Sequence, residues 1–164
     1  MRFQGTLYRA LNPLYAREPL SGRGAQLYGG RFNARGTPAL YLTLDVLTAI
    51  REANQVGSLQ PTTLVAYDAD IDDLYDSRDA AALAAHGLTS GDLAAATWRD
   101  EMQASGRSRT QGFAADLLAA GFSGLLVRSF ARGSSDADLN LVLWRWSEGL
   151  PHRLTVIDEE GRLG

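Results

Sequence analysis

Three side chains capable of chemistry lie within one stretch of the chain, Leu27 to Asn54, with the sequence LYGGRFNARGTPALYLTLDVLTAIREAN. Arg31 lies in a glycine-flanked loop, Tyr41 near the end of a predicted strand, and Glu52 on the helix predicted to follow. A guanidinium binds anions through paired hydrogen bonds, and a carboxylate can hold a hydroxyl or stabilise positive charge. Together the three suit the binding of an anion beside a sugar ring.

The elements around these residues follow from the local sequence. Residues 38–42 have the apolar character of a buried strand, and Thr43 is predicted to cap the next helix, with Asp45 in its first turn complementing the helix dipole. Residues at helical spacing are predicted to form the core face of that helix, namely Leu47, Ile50 and Ala53. Glu52 then lies at the border between the core and a cleft.

The rest of the chain divides into strand-like and helix-like segments. Strands are predicted at residues 6–10, 62–67, 123–130, 139–146 and 152–157, with an acidic turn at 68–76. Helices are predicted at 77–85, from Thr89 or Ser90 onward, at 98–104 and at 110–120, and residues 11–30 are predicted to be a long irregular loop. Because the strands cluster at both ends around a helical middle, the sequence predicts one α+β domain spanning residues 1–164.

Composition argues against several classes of protein. The chain has 164 residues, a formal net charge of −3 and no lysine. It also has no cysteine, which rules out disulfides and thiolate metal sites. Its arginines are scattered rather than grouped in a basic stripe, so direct nucleic-acid binding is not expected. Because the sequence shows neither a secretion-signal h-region nor a run of about 20 apolar residues, we expect a cytoplasmic protein with no membrane contact.

Familiar catalytic signatures are missing from the sequence. It has no Walker loop for phosphate and no Gly-x-Ser-x-Gly nucleophile elbow. His86 and His152 stand apart from any second ligand pattern, and a zinc site needs several converging ligands, so no metal is expected. The set of Arg31, Tyr41 and Glu52 is the candidate site that remains.

Two further residues extend this set, Arg9 on the first predicted strand and Ser129 after a late one. In order and context, five segments resemble the RES domain family, which is named for its Arg, Glu and Ser. The resemblance spans about residues 6–146, and Phe32 stands where the family often carries tryptophan. The segments are GRFN at 30–33, GTPALY at 36–41, the helix with Ala49 and Glu52, LVRSF at 126–130, and NLVLW at 140–144.

The resemblance implies a fold similar to that of the ADP-ribosyltransferases, with a mixed core of β-sheets and flanking helices. RES proteins are typically toxins of two-gene toxin–antitoxin systems, and they consume NAD⁺ as a substrate. The resemblance therefore implies a mono-ADP-ribosyltransferase toxin that modifies a cellular protein. A cognate antitoxin, expected to be of the Xre type, would block its active site. NAD⁺ phosphorolysis or hydrolysis differs only in what captures the ribose, and the sequence leaves these alternatives open.

Under this resemblance, the chemistry of NAD⁺ cleavage gives each residue a role. Loss of neutral nicotinamide leaves an oxocarbenium-like ribose and needs no acid, so Glu52 is assigned to the ribose as the stabilising carboxylate. Arg31 is assigned to the diphosphate or the adjoining ribose, with Arg9 as a second contact. Tyr41 is assigned to packing against nicotinamide or ribose, and Ser129 to a phosphate or the nicotinamide amide. Further expected contacts to NAD⁺ come from Tyr28 and Asn33.

A non-catalytic binding module is the rival hypothesis from another class. Such a module would use the cleft, or the strand that carries Trp144 and Trp146, to bind a nucleic acid or a protein. The two tryptophans are predicted to share one strand face, and packing in the core is the expected role of both. Glu52→Gln separates the two hypotheses, because it would abolish NAD⁺ loss by an enzyme and leave the binding by a module unchanged.

Overall fold

A computed structural model describes residues 1–54 and 60–164, and its mixed α and β content confirms the predicted α+β class. Helices flank a curled sheet of seven strands, an arrangement consistent with an ADP-ribosyltransferase-like fold. None of the described helices has the length and apolar character needed to cross a bilayer. The strands are β1 Phe3–Leu11, β2 Leu40–Thr43, β3 Thr63–Ile71, β4 Leu74–Asp76, β5 Gly124–Arg128, β6 Leu139–Leu143 and β7 His152–Val156. The helices are α1 Arg23–Tyr28, α2 Val46–Ala53, α3 Ala80–Ala84, α4 Ser90–Leu93, α5 Trp98–Ser105 and α6 Arg109–Ala119, and a 3₁₀ turn covers Pro13–Tyr15.

The sheet divides into two halves that meet at a narrow junction. Its strand order is β4-β5-β6-β2-β1-β3-β7, and every neighbouring pair is antiparallel except β4 with β5. β1 pairs with β3 along its whole length, whereas β1 and β2 are joined through one residue pair, Tyr8 with Thr43. The sheet therefore opens between β1 and β2, at the strands that flank the candidate site.

Side chains that alternate along the strands point into two different cores, one on each face of the sheet. Leu40 and Leu42 of β2 point into the first core together with Leu7 and Tyr67, all of which are buried. Tyr41, one residue out of phase, points to the opposite face, where the second core lies beneath the helices. That second core is formed by residues of β5, β6, α3 and α6, among others Leu83, Phe113, Leu117, Leu125, Val127 and Val142.

Helix α6 has clear start and stop signals, and its prediction is confirmed. The Ser108 hydroxyl accepts a hydrogen bond from the Gln111 amide at 3.1 Å, and the Gln111 side chain accepts one from the Ser108 amide at 2.9 Å. This reciprocal capping box satisfies two backbone donors at the start of the helix. Gly121 follows the end of the helix with a φ of 99°, a conformation that favours glycine.

The segment 11–30 is not the irregular loop that its prolines predict. Pro13 begins the 3₁₀ turn, where the Asn12 side chain accepts from the Leu14 amide at 3.0 Å. α1 then runs to Tyr28. Proline suits the first position of a helical turn because its missing N–H would have no partner there. Pro13 therefore marks the start of a short helical element, and Pro19 lies in the turn between that element and α1.

The acidic stretch and the tryptophan pair also differ from prediction. β3 continues to Ile71, so Asp70 is a strand residue, and it accepts two hydrogen bonds from the guanidinium of Arg2 at 2.7 and 2.8 Å. β6 ends at Leu143, before both tryptophans. Trp144 packs into the second core and Trp146 against the first core, so the two side chains do not share a face. Both contribute to packing, as expected.

Candidate active site

Helix α2 is rotated so that Glu52 faces inward. Asp45, not the predicted Thr43, is the N-cap, and its carboxylate accepts from the amide and hydroxyl of Thr48 at 2.9 and 2.6 Å. The buried residues of the helix are Thr48 and Ala49. Positions 45, 48, 49 and 52 form one stripe at helical spacing, which places Glu52 on the buried side.

The predicted apolar face of α2 is therefore wrong at Leu47 and Ala53, whereas Ile50 is half-buried. Leu47 is 63% exposed, and Ala53 is also exposed. The cap explains the difference, because the hydrogen bonds between Asp45 and Thr48 direct both polar side chains toward the protein and turn Leu47 toward solvent. Small Ala49 then allows the helix to lie close to β1 and β2.

The carboxylate of Glu52 is held by two side chains from the sheet. Its Oε1 accepts a hydrogen bond from the Ser129 hydroxyl at 2.5 Å and another from the Asn140 amide nitrogen at 2.6 Å. Ser129 follows β5, and Asn140 lies on β6 directly opposite Val127, so the pairing of β5 with β6 sets the two donors side by side. Two donors on one oxygen fix the orientation of the carboxylate before any ligand binds.

Ser129 serves this carboxylate and has no capacity left for a ligand. Its side chain is buried, with 1% of the residue exposed, and its hydroxyl also accepts from the Ala131 amide at 3.2 Å and from the Ser134 hydroxyl at 3.1 Å. A serine hydroxyl has one hydrogen to donate and two lone pairs, and all three are used. The structure therefore does not support direct contact of Ser129 with a phosphate or an amide, and makes it a residue that positions Glu52.

Tyr41 is fixed by a short network within the glycine-flanked loop. Its hydroxyl donates to Oδ1 of Asn33 at 2.5 Å and accepts from the Phe32 amide at 3.1 Å. Burial raises the pKa of Tyr41 well above its usual range, so its phenol is neutral at any physiological pH. The ring is thereby presented as a rigid, uncharged wall.

The side chain of Asn33 is buried in the loop and bonded to other parts of the protein rather than exposed to a ligand. It is 1% exposed, and its amide hydrogens are used by the carbonyls of Ala25 at 2.8 Å and Thr37 at 2.9 Å. The predicted direct contact with NAD⁺ is therefore not supported. Asn33 acts through Tyr41, because its Oδ1 accepts the hydrogen bond from the Tyr41 hydroxyl.

Arg31 is anchored at one nitrogen and adjoins the carboxylate. Its Nη1 donates to the carbonyls of Ala95 at 2.7 Å and Leu93 at 3.1 Å, and its guanidinium carbon lies 5.1 Å from the centre of the Phe130 ring. Burial, and secondarily the charge of Arg99, lowers the pKa of Arg31, whereas Glu52 opposes this effect. The anchoring leaves the edge formed by Nε and Nη2 as the one that can bind an anion with two hydrogen bonds.

Arg31, Tyr41 and Glu52 line the same cavity, of about 270 Å³. Asn140 and Arg99 line it as well, and both also line an adjoining cavity of about 340 Å³ that Tyr41 and Glu52 share. The second cavity lies where the sheet opens between β1 and β2. A guanidinium, a phenol and a carboxylate from a loop, a strand and a helix thus converge on one continuous space.

Comparison with known proteins decides the family of this chain. The model of the RES domain matches residues 6–163, which is nearly the whole chain. The chain belongs to the RES domain family. A curated relative, Toxin Res from Photorhabdus laumondii subsp. laumondii, is 44% identical over 46 residues. That alignment covers 28% of this chain and 30% of the relative, so the chain matches less than a third of that protein's length.

Two predicted ligand contacts of this RES domain lie at the margin of the site or away from it. Arg9 borders the cavity between β1 and β2. At every second position of β1, however, it lies on the same face as Leu7 and Leu11, the face of the first core. Its charge opposes the rise that burial causes in the pKa of Tyr67. Tyr28 ends α1, is 73% exposed and lines neither cavity that Glu52 lines, so its predicted contact is not supported.

The RES domain also uses residues that the sequence did not single out. Asn140 holds Glu52, and Arg99 lines both cavities. A signal exists for each of them. An asparagine inside a β-prone run is unusual because its side chain competes with the backbone, and an arginine in the first turn of a helix opposes the helix dipole.

Proposed function

We propose that this RES domain cleaves NAD⁺ and transfers ADP-ribose to a cellular protein, and that it acts as a toxin restrained by a separate antitoxin. The observation that carries the proposal is the carboxylate of Glu52, oriented by Ser129 and Asn140 in a cavity that Arg31 and Tyr41 also line. A carboxylate oriented before the ligand binds, beside an anion-binding guanidinium and an aromatic ring, suits a sugar on which positive charge develops.

The reaction requires little proton transfer and much electrostatic stabilisation. When the bond between nicotinamide and ribose breaks, its electron pair leaves with nicotinamide, which departs as a neutral molecule. Positive charge then develops on the ribose, as in glycoside cleavage. Glu52 would stabilise that charge, because its orientation is set by hydrogen bonds to Oε1 and need not be rearranged during the reaction. An acceptor group of the target protein would then attack the same carbon.

The other two residues would bind the parts of NAD⁺ on either side of that bond. Arg31 would bind the diphosphate or the adjoining ribose through its Nε and Nη2 edge, since Nη1 is bonded to Ala95 and Leu93. The neutral ring of Tyr41 would pack against nicotinamide or ribose. Arg9, at the margin of the second cavity, would contact the distal part of the dinucleotide.

The proposal of a toxin rests on the family and on the name of the relative, Toxin Res. A protein that consumes NAD⁺ harms the cell that makes it, so a partner must block the cavity until release. We propose that this partner is a cognate antitoxin of the Xre type, which inserts a segment between the sheet and the helices. The site of action would be the cytoplasm, which supplies both NAD⁺ and the target protein.

Incubation of the protein with NAD⁺ labelled in its adenylate group, in the presence of cell lysate, tests the proposal. We expect loss of NAD⁺, release of nicotinamide and a labelled protein band, all strongly reduced by Glu52→Gln. Mass spectrometry of the small products identifies the acceptor. ADP-ribose 1″-phosphate or free ADP-ribose without a labelled protein would overturn the transfer to protein, and unchanged NAD⁺ would overturn the cleavage itself.

A further inference from the structure

Arg99 lies at the boundary between the two cavities of the candidate active site. It is the second residue of α5, and it lines both the cavity shared with Arg31 and the adjoining cavity between β1 and β2. Glu52, Tyr41 and Asn140 are the other residues that line both. Arg99 therefore lies where the two spaces meet, as Glu52 does.

Three other arginines at or near this site have partners of their own, and Arg9 interacts with Tyr67. Arg31 bonds the carbonyls of Leu93 and Ala95, Arg51 pairs with Asp138 at 3.3 Å, and Arg128 pairs with Asp136 at 2.6 Å. Within residues 1–54 and 60–164, the guanidinium of Arg99 has neither a hydrogen-bond acceptor nor a carboxylate partner. It is a cation at the mouth of a cavity whose charge is available to an incoming anion.

The local structure holds this cation in place by contacts other than an ion pair. The guanidinium carbon of Arg99 lies 4.6 Å from the centre of the Trp98 ring, and Trp98 is itself buried and lines the same cavity. A cation stacked on an indole keeps its hydrogen-bonding edges free. Its place in the first turn of α5 is unfavourable for helix stability, since the dipole favours negative charge there.

Arg31 lies close enough for the two positive charges to affect each other, because Arg99 contributes to the lowered pKa of Arg31. Two cations that converge on one cavity repel each other until an anion lies between them. An anion with two charged groups satisfies both. The diphosphate is the part of NAD⁺ with that chemistry.

We propose that Arg99 and Arg31 together bind the diphosphate of the dinucleotide, with Arg99 as the principal contact on the open side of the cavity. This inference rests on the proposed function and adds to it a binding residue and a direction. The nicotinamide ribose lies at Glu52, and the adenosine extends past Arg99 into the cavity between β1 and β2. Arg99 is therefore a determinant of substrate affinity rather than of the chemical step.

The test compares ADP with adenosine, two ligands that differ only in the diphosphate. Binding to the full-length protein is measured by calorimetry for ADP and by ligand-observed NMR for adenosine, with Arg99→Gln and Arg99→Lys as variants. We expect Arg99→Gln to weaken ADP binding by about 10- to 100-fold, the range of a hydrogen bond to a charged group, and to leave adenosine unchanged. Arg99→Lys keeps the charge but not the planar fork, so a smaller loss is expected.

Arg107→Gln is the matched control, because Arg107 is an exposed arginine just beyond the end of α5 that lines neither cavity. It should bind both ligands as the wild type does. NAD⁺ turnover is measured on the same preparations, and Arg99→Gln should raise KM with kcat nearly unchanged.

Three results would overturn the inference. Equal ADP affinity in Arg99→Gln and wild type would show that Arg99 only stacks on Trp98 in solvent. Equal losses for ADP and adenosine would show a structural role. If the wild type consumes NAD⁺ while either result holds, the proposed function stands and this inference alone fails. If the wild type neither binds ADP nor consumes NAD⁺, both fail.

Discussion

Glu52 owes its orientation to residues far away in the chain. Its Oε1 accepts from Ser129 and Asn140, which are 77 and 88 positions further along. Both donors are neutral, so they orient the carboxylate without cancelling its charge. Arg31 supplies a nearby positive charge but is itself bonded to carbonyls. The carboxylate is thus held in a defined orientation at the cavity where positive charge would develop on the ribose.

Replacing Glu52 by glutamine should remove catalysis and preserve the fold. Glutamine keeps the shape and can still accept from Ser129 through its carbonyl, but it lacks the charge that stabilises the ribose cation. We expect a loss of at least ~2 kcal/mol of transition-state stabilisation, which is about a 30-fold fall in kcat/KM. Steady-state kinetics of NAD⁺ consumption measure it. Glu159→Gln, an exposed glutamate near the end of the chain, is the charge-matched control and should be fully active.

Ser129→Ala and Asn140→Ala should both impair the reaction and differ in stability. Each removes one hydrogen bond to Glu52, which is worth about 1.5–3 kcal/mol when the acceptor is charged. Ser129→Ala also leaves the buried amide of Ala131 and the half-buried hydroxyl of Ser134 without their acceptor, so it should lower the melting temperature as well.

Asn140→Ala should spare the melting temperature by comparison. Its buried Oδ1 has no hydrogen-bond partner in the described part of the chain, so its removal also relieves an unsatisfied acceptor. Kinetics and thermal unfolding of the two variants decide the matter. Full activity of either one would contradict the account of how the Glu52 carboxylate is oriented.

At the scale of elements, the loop that carries Arg31 is a tight turn locked from two sides. Gly30 and Asn33 exchange backbone hydrogen bonds at 3.0 and 3.3 Å, and Gln111 of α6 donates to both carbonyls at 2.9 and 3.1 Å. Tyr41 closes the turn from the strand side. Arg31 projects from this turn, so its direction depends on α6 and β2 together.

Gly30→Ala should disrupt the turn. A Cβ at this position would overlap the hydroxyl of Tyr41 and lie 2.6 Å from Oδ1 of Asn33, and neither can move without breaking their shared hydrogen bond. We expect destabilisation of about 1–3 kcal/mol and a marked loss of activity. Chemical denaturation and NAD⁺ kinetics measure both effects.

Gly24→Ala is the control for the Gly30 variant. Gly24 lies within α1 with nothing within 4 Å of its would-be Cβ, so alanine there should be neutral or stabilising by up to about 1 kcal/mol. Equal stability of the two variants would contradict the close packing of Gly30 against Tyr41.

Local sequence predicted those elements whose signals are local. α6 has a capping box and a terminal glycine, and β2 is an apolar run, so both were expected close to where they occur. The rotation of α2 was not predictable in this way. Leu47, Ile50 and Ala53 have helical spacing, yet the inward face is set by the cap at Asp45 and by partners of Glu52 that only the folded sheet brings near.

In the candidate site too, residues close in sequence were predictable, and contacts that depend on the folded chain were not. Arg31, Tyr41 and Glu52 lie close in sequence, and the structure places them on one cavity. The sequence predicts Ser129 as a site residue but not its bond to Glu52, because its contacts with Glu52, Ala131 and Ser134 depend on how the loop after β5 folds back. Arg99 carries only a weak local signal, since its significance lies in the packing of α5 against the opening of the sheet.

At the scale of the whole molecule, the opening of the sheet creates the site. β1 and β2 separate beyond the pair Tyr8 and Thr43, and the space between them continues to Glu52. The half of the sheet formed by β1, β3 and β7 is held together by contacts such as the one between Arg2 and Asp70, which ties the start of β1 to the end of β3. Stability of that half should therefore respond to acid.

The pair of Arg2 and Asp70 should make the fold sensitive to low pH. Hydrogen bonds from Arg2, and secondarily from Gln4, lower the pKa of Asp70 below that of an unfolded chain, about 3.9. A lowered folded-state pKa means that the stabilisation is fully present above the unfolded value and is lost as pH falls through the folded one. Asp70→Asn should therefore lower the melting temperature at pH 7, and the difference from wild type should shrink toward pH 2.

Asp116→Asn, at an exposed position of α6, provides the comparison for this acid titration. It should follow the wild type across the whole range, since Asp116 has no side-chain partner in the described residues. A constant gap between Asp70→Asn and wild type from pH 7 to pH 2 would contradict the role of the ion pair.

The most direct test of the central claim is a crystal structure of the Glu52→Gln variant with NAD⁺ bound. We predict the nicotinamide ribose beside residue 52 and the ring of Tyr41, with the diphosphate at Arg31 and Arg99. A dinucleotide located elsewhere, for example in the apolar cavity lined by Leu83, Leu88 and Leu93, would contradict the account, as would a variant that binds no NAD⁺ at saturating concentration.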